Sequence, residues 1–293
     1  RKYNVSAISK FADKSYVILA NDNHGRMAAL VERLDAQGIE MFTNDAPLKV
    51  ARATTQLGSE ERGFTIPEGS LIIPNRQPDA PLVAAILEFD AEVRKSVLVE
   101  ERQRTLRDGS SLMYDTTAWN FSMMYGLPAV TVPEHLNRGL QPWRSAAPTI
   151  DVTAEAIAWS VSGEDDRSVA FAARLMESGV QVRIIDKATE LSGNSLSRGS
   201  VFVTAMDNPK LDNLTDLITA EAEHLQLTVQ SIGSGYGDGD LPDWGGSHFR
   251  LLTRPQIAIL SQAGFSSYDV GSSWWAIDTH LGIRHSQIDT SYL

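Results

Sequence analysis

Along this chain, short unbroken apolar runs alternate with longer stretches of helical period. Met27, Leu30, Val31 and Leu34 fall at i, i+3, i+4 and i+7, and so do Leu82, Ala85, Ile86 and Phe89. That spacing lays one apolar face on something flat, which predicts helices resting on a sheet. Runs such as Leu71-Ile72-Ile73 and Val201-Phe202-Val203 carry no polar alternation. Strands covered on both faces have this character, as in a parallel sheet.

The pattern is written almost twice. Strand-like Tyr16 to Ala20, a helical run from His24 to Gln37, Gly38, strand-like Ile39 to Phe42, Gly69-Ser70 leading into an apolar run, and the stripe after Pro78 follow one another. Later come Ala156 to Gly163, a helical run from Asp165, Gly179, Val180 to Asp186, Gly199-Ser200 leading into Val-Phe-Val, and a helical run from Pro209. Gly38 and Gly179 are 141 residues apart and the two Gly-Ser pairs 130 apart. Each of these two glycines stands just past a helical run, where a residue at positive φ ends the helix at little steric cost. The reading is an α/β fold with duplicated strand-helix-strand-strand-helix modules on largely parallel sheets.

A third module opens with Gln256 to Leu260, continues with Trp274, Ile277 and Leu281 at i, i+3 and i+7, reaches Gly282, and stops after a strand from Ile283. It reads as truncated. Two domains are expected: residues 1–149, module one with a helical extension and a linker, and 150–293, module two with the start of the third. The charged run from Glu88 to Asp108, with Val93, Val97 and Leu98 on one side, predicts an amphipathic helix with one packed face.

Bulk properties narrow the function classes. A length of 293 residues is enough for a core that hides roughly three quarters of the unfolded surface. A net charge of −11 with no cluster of Lys and Arg argues against nucleic acid and against an anionic membrane surface as partners. No apolar run approaches the ~20 residues of a membrane helix, so no membrane insertion is expected, and no signal peptide opens the chain. The absence of cysteine excludes disulfides, thiolate zinc sites and a cysteine nucleophile.

The candidate chemistry is sparse. None of the six histidines is spaced from another, or from Glu, as in His-x-x-Glu or His-x-x-x-His, and His280 and His285 diverge across Gly282. The loop Gly233 to Gly246 lacks the helix that a phosphate cradle needs, and reads as a flexible connector. Gly-x-Ser-x-Gly is absent; a hydrolase built on Asp115 and a serine has no base placed by spacing. Ligand-binding candidates remain at strand ends: Asn21, Asp22 and His24 after the first strand, and Glu164 and Asp165 after its counterpart. Helix capping by Asn or Asp explains the Asn21-Asp22-Asn23 run more simply.

Several segments together resemble one family. Phe64 to Pro74 (Phe-Thr-Ile-Pro-Glu-Gly-Ser-Leu-Ile-Ile-Pro), Tyr114-Asp115-Thr116-Thr117-Ala118-Trp119, Arg254 to Leu260 (Arg-Pro-Gln-Ile-Ala-Ile-Leu) and Asp269 to Trp275 (Asp-Val-Gly-Ser-Ser-Trp-Trp) are similar to the region downstream of the catalytic domain in large bacterial zinc carboxypeptidase-like proteins of the M14 peptidase family. The resemblance spans roughly 15–293. It implies α/β segments, the last similar to a class I glutamine amidotransferase fold that has lost its chemistry. The family's zinc-binding His-x-x-Glu and distant His cannot be placed here, so no catalytic residue carries over. Tyr114, Asp115, Thr117 and Trp119 match a family motif of unknown role.

The implied function is a non-catalytic accessory region of a zinc-dependent carboxypeptidase, with the parent's peptidase domain as partner. The alternative is a module that binds a small peptide, sugar or nucleotide. No cofactor is expected in this chain; zinc is expected in the parent's catalytic domain. A homo-oligomer is compatible with this reading, and the expected location is periplasmic or secreted. The opening Arg1 and the half-written third module fit a piece of a longer protein.

Overall fold

The computed structural model describes residues 11, 13–90, 93–111, 120–145, 147–153, 155–262 and 264–292. The chain forms two compact units, 1–145 and 146–293.

In the first unit the elements run β1 (Ser15–Ile18), α1 (His24–Asp35), β2 (Phe42–Asn44), β3 (Leu48–Lys49), β4 (Arg52–Thr55), β5 (Glu60–Arg62), β6 (Thr65–Ile66) and β7 (Leu71–Pro74). Then follow α2 (Ala80–Leu87), α3 (Lys95–Asp108), α4 (Phe121–Met124), β8 (Ala129–Val132) and β9 (Leu140–Pro142). Seven strands make one sheet in the order β5-β4-β8-β1-β7-β2-β9. The second unit has β10 (Ala158–Val161), α5 (Arg167–Glu177), β11 (Arg183–Ile185), the hairpin β12 (Thr189–Leu191) and β13 (Asn194–Leu196), β14 (Val201–Thr204), α6 (Leu214–Leu225), β15 (Gln230–Ile232) and β16 (Phe249–Leu251). Its main sheet has the order β15-β10-β14-β11-β16.

The expectation of largely parallel sheets is overturned. Every neighbouring pair in both large sheets is antiparallel. The reason lies in the connections. β1 and β2 both oppose β7, so they run parallel to each other, joined by α1, but β7 occupies the slot between them. β7 and β8 likewise both oppose β1. In the second unit β14 lies between β10 and β11, and β10 between β14 and β15. Each unit is thus a doubly split β-α-β, the ferredoxin-like arrangement.

Unalternating apolar strands arise because both faces of an antiparallel sheet are covered. Tyr16, Ile18, Leu71 and Ile73 pack under Met27, Leu30 and Leu34 of α1 and Val83 and Leu87 of α2. Val17, Ile72, Val130 and Val132 point the other way, against Val50, Ala53 and Ile66. In the second unit Trp159, Val161, Val201 and Val203 meet Phe171 and Leu175 of α5 and Ile218 of α6. Ala158, Ile185, Phe202 and Phe249 meet Leu191 and Leu196 of the hairpin, with Trp244 packed alongside. Phe202 lies 5.1 Å from Phe249, edge to face, and 6.1 Å from Trp244. The glycine-rich loop that carries Trp244 is therefore a cover for the core, tied down by Gly237 N donating to Asp243 Oδ1 at 2.7 Å and Trp244 N to Gly235 O at 2.8 Å.

Two other expectations shift. In α2 the buried residues are Ala80, Val83, Ala84 and Leu87, two positions before the predicted stripe. In α3 none is buried, so the predicted packed face is absent: Leu98 and Val99 are exposed.

The same polar devices recur at equivalent places in both units. Gly69 and Gly199 have φ of 76° and 90°, and the buried Ser70 and Ser200 that follow accept from Ala20 N at 3.1 Å and Gly163 N at 3.2 Å. Gln77 Oε1 accepts from Glu40 N at 2.8 Å, while its Nε2 donates to Pro74 O at 2.9 Å. Asn208 does the same for Gln181 N at 2.7 Å and Thr204 O at 2.9 Å, and also donates to Gln181 O at 3.0 Å. Each amide locks the strand that follows the first helix to the end of the strand inserted beside it.

The C-terminal segment is not a further copy. β17 (Ile257–Ser261) and β18 (His285–Asp289) pair directly and in parallel, with no strand between them. α7 (Ser267–Trp274) and a π-helix (Trp275–Leu281) connect them, and Gly282 at φ 71° ends the helix. Among the described residues no helix is long and apolar enough to cross a membrane.

Two outcomes are expected. Asn208→Leu strands three backbone groups and costs about 2 to 4 kcal/mol; hydrogen exchange should loosen peptides of α5 and β14 while those of β1 and β7 stay unchanged. The Arg183 guanidinium, donating to Asp207 at 2.7 and 2.8 Å, and the Thr204 hydroxyl hold the Asp207 carboxyl below its usual range. A depressed carboxyl favours the folded state above its unfolded pKa, and that contribution is lost as pH falls through the folded one. Denaturant melts from about pH 5 to about pH 2 should show the gap between wild type and Asp207→Asn closing with acid.

Candidate functional site

The five ligand candidates occupy the same turn in their respective units, after β1 and after β10. Asn21 is used locally: its Nδ2 donates to Leu19 O at 2.9 Å and its Oδ1 accepts from Asn23 N at 3.0 Å. Asn23 caps α1 by accepting from Arg26 N at 3.0 Å. Asp22 and His24 are exposed. In the second unit Asp165 is buried and accepts from Arg167 N and Nε, both at 3.0 Å, and from Nη2 at 2.7 Å. Glu164 is exposed. These turns serve the helix starts, which is chemistry that Asn and Asp supply without a ligand.

Tyr114, Asp115, Thr117 and Trp119 lie outside the described residues. The helix that follows them, α4, is capped by Asn120, whose Oδ1 accepts from Met123 N at 3.1 Å, and Met123 is exposed.

The histidine pair near the C-terminus does not suit zinc. His280 lies flat on Trp275, 5.8 Å between ring centres and 17° between planes. His285 is turned inward with Nδ1 3.3 Å from Ile283 O. Among the described residues no three His, Asp or Glu side chains converge as a metal-binding group.

Two features have the make-up of functional surfaces. The first is the outer side of β17-α7-β18. Tyr268 is 88% exposed, Trp275 56% and Phe265 48%, with Leu260 and Trp274 also exposed. No residue of α7 is buried. On its inner side this segment is fastened to α5: Arg284 Nε pairs with Glu177 at 2.8 Å, and the Arg174 guanidinium lies so close under Gly282 that a Cβ there would meet it at 2.9 Å. An aromatic face held by a fixed base is unusual on a surface otherwise rich in carboxylates.

The second is a cavity of about 500 Å³ in the first unit, bounded by the start of β1, the β4–β5 hairpin, the C-terminus of α2 and β8. A wider groove of about 850 Å³ beside α3 is walled by the side chains of that one exposed helix and encloses nothing. None of the five sequence-based ligand candidates lines the cavity. The sequence reading missed it; the signal that could have found it is a lone carboxylate, Glu88, between apolar Leu87 and Phe89, and a lone hydroxyl, Thr131, in an apolar strand.

The capping reading has a direct check. Asn23→Ala should cost about 1 kcal/mol, whereas Asp22→Ala and His24→Ala should stay within about 0.5 kcal/mol of wild type in denaturant melts. No family model, no curated protein and no solved structure matches this chain, so a reading of its function rests on the geometry of these surfaces.

Proposed function

We propose that this chain is a non-catalytic accessory region of a zinc-dependent carboxypeptidase of the M14 type, and that it packs on the peptidase domain through the aromatic face of β17-α7-β18. The observation that carries this reading is the exposure of Phe265, Tyr268 and Trp275 on a segment anchored to α5 on its other side. Large aromatic side chains are the residues that dominate protein–protein contacts, because each hides much apolar area at little entropic cost. Burying one contributes about 1.5 to 3 kcal/mol. The family resemblance names the occupant, a folded peptidase domain that holds the zinc; this chain contributes surface and position.

The polar ends of the same side chains fit such a contact. Tyr268 carries a hydroxyl, and Trp275 an indole N–H, that a partner's carbonyls would satisfy. The alternative expectation, a small-ligand module, attaches to other residues and is taken up below.

Sedimentation velocity of the chain mixed with an isolated M14-type peptidase domain is expected to show a one-to-one complex. The double variant Tyr268→Asp, Trp275→Asp should weaken it at least about tenfold, with unchanged circular dichroism because neither side chain is buried. Absence of a complex, equal binding by the variant, or a homodimer of this chain abolished by the variant would each overturn the reading.

A further inference from the structure

The cavity in the first unit is built like a receptor for an uncharged ligand, and this holds whether or not the chain docks on a peptidase. Its floor is part of the sheet. Register pairs Tyr16 with Thr131 and Thr131 with Thr54, so these three side chains stand in a row on the face covered elsewhere by α1 and α2. Neighbours in such a row have Cβ atoms about 5 Å apart. α2 ends at Leu87, and the cavity stands between that end and the β4–β5 hairpin.

The charged group at its wall is already neutralised. Glu88, 8% exposed, accepts from Lys14 Nζ at 2.8 Å and Tyr16 Oη at 3.2 Å on one oxygen, and from Phe89 N at 3.2 Å on the other. Burial, with the Glu88 charge beside it, pushes the Tyr16 phenol far above its ordinary value, so it stays a proton donor to that carboxylate. The cluster is a fixed polar wall that offers no net charge to a ligand.

What remains in the buried part of the lining is neutral; the one further charge, Asp90, is exposed. Thr131 is 4% exposed, lines the cavity, and its hydroxyl has no hydrogen-bond partner among the described residues. A hydroxyl both donates and accepts. Gln56 spends its Nε2 on Ser122 Oγ and Leu127 O, at 2.8 and 2.9 Å, which leaves Oε1 as an acceptor. Lys14 uses one N–H on Glu88. Phe89 and Leu57 add apolar surface to the lining.

We infer that this cavity binds a neutral, multiply hydroxylated small molecule of monosaccharide size, with Thr131, Thr54 and Gln56 reading its hydroxyls and Phe89 and Leu57 lying on its C–H face. A phosphate would require several cations where Lys14 alone stands, already paired. An amino acid would require a free buried carboxylate for its ammonium; of the two carboxylates in the lining, Glu88 is bracketed and Asp90 is exposed. The volume falls within the range of small-molecule sites, about 300 to 1,000 Å³.

Amide chemical shifts of the full chain, titrated separately with glucose, galactose and mannose, test it. At least one should produce saturable shifts at Thr54, Gln56, Leu57 and Thr131. Thr131→Val keeps the shape of the side chain and should weaken that binding about 3- to 10-fold. Alanine, dialanine and inorganic phosphate serve as controls. Silence with all three sugars, unchanged affinity in Thr131→Val, or shifts at these residues from a control and none from a sugar would overturn the inference. Docking through Tyr268 and Trp275 is read by sedimentation, so the two proposals fail separately.

Discussion

The structure depends on one constraint: the slot between two strands joined by a helix is filled by a strand from elsewhere in the same unit. A right-handed crossover can deliver parallel strands side by side, but here β7 enters between β1 and β2, and β14 between β10 and β11. Each inserted strand must be delivered to the correct depth, or every side chain on it changes face. The amides of Gln77 and Asn208 fix that depth, holding the end of the inserted strand to the segment that follows the first helix. Ser70 and Ser200 hold its other end to the chain leaving the central strand. With both ends pinned, the alternate residues of Leu71 to Pro74 and Val201 to Thr204 fall into separate cores above and below the sheet.

Much of this was legible, and the failure has a definite cause. The stripe of Met27, Leu30 and Leu34 buries as the spacing requires. Gly38, Gly179, Gly69 and Gly199 all adopt positive φ. Strand direction was not legible, because burial on both faces writes the same apolar run in a covered antiparallel sheet as in a parallel one. Pairing partners are set by contacts tens of residues apart, such as Tyr16 with Ile73 and Thr131, and no local period records them. The phase of α2 was missed by two residues because Ala80 and Ala84 contribute to the buried face while Leu82 and Ile86 remain partly open.

The sites were less legible than the fold. Asn21 and Asp165 attract notice as polar residues at strand ends, and local hydrogen bonds consume them. The cavity is assembled from Lys14, Thr54, Glu88 and Thr131, four stretches with no common motif, brought together by the strand order itself. A pocket made by topology leaves only faint marks in sequence: a carboxylate inside an apolar run, a hydroxyl inside an apolar strand.

The C-terminal segment shows what the inserted strand contributes by showing its absence. β17 and β18 lie directly side by side, and a two-stranded parallel sheet has neither the width to hide a helix nor a covered second face. The consequence is visible in burial: β1 and β10 are buried at every position, whereas along β17 exposed and buried residues alternate and α7 hides nothing. Its fastening to α5 through Glu177 and Arg284 supplies a base but no roof. Aromatic side chains at Phe265, Tyr268 and Trp275 are therefore exposed where the two large sheets carry a covering layer. The same segment that departs from the doubly split plan is thus the one whose helix buries no residue.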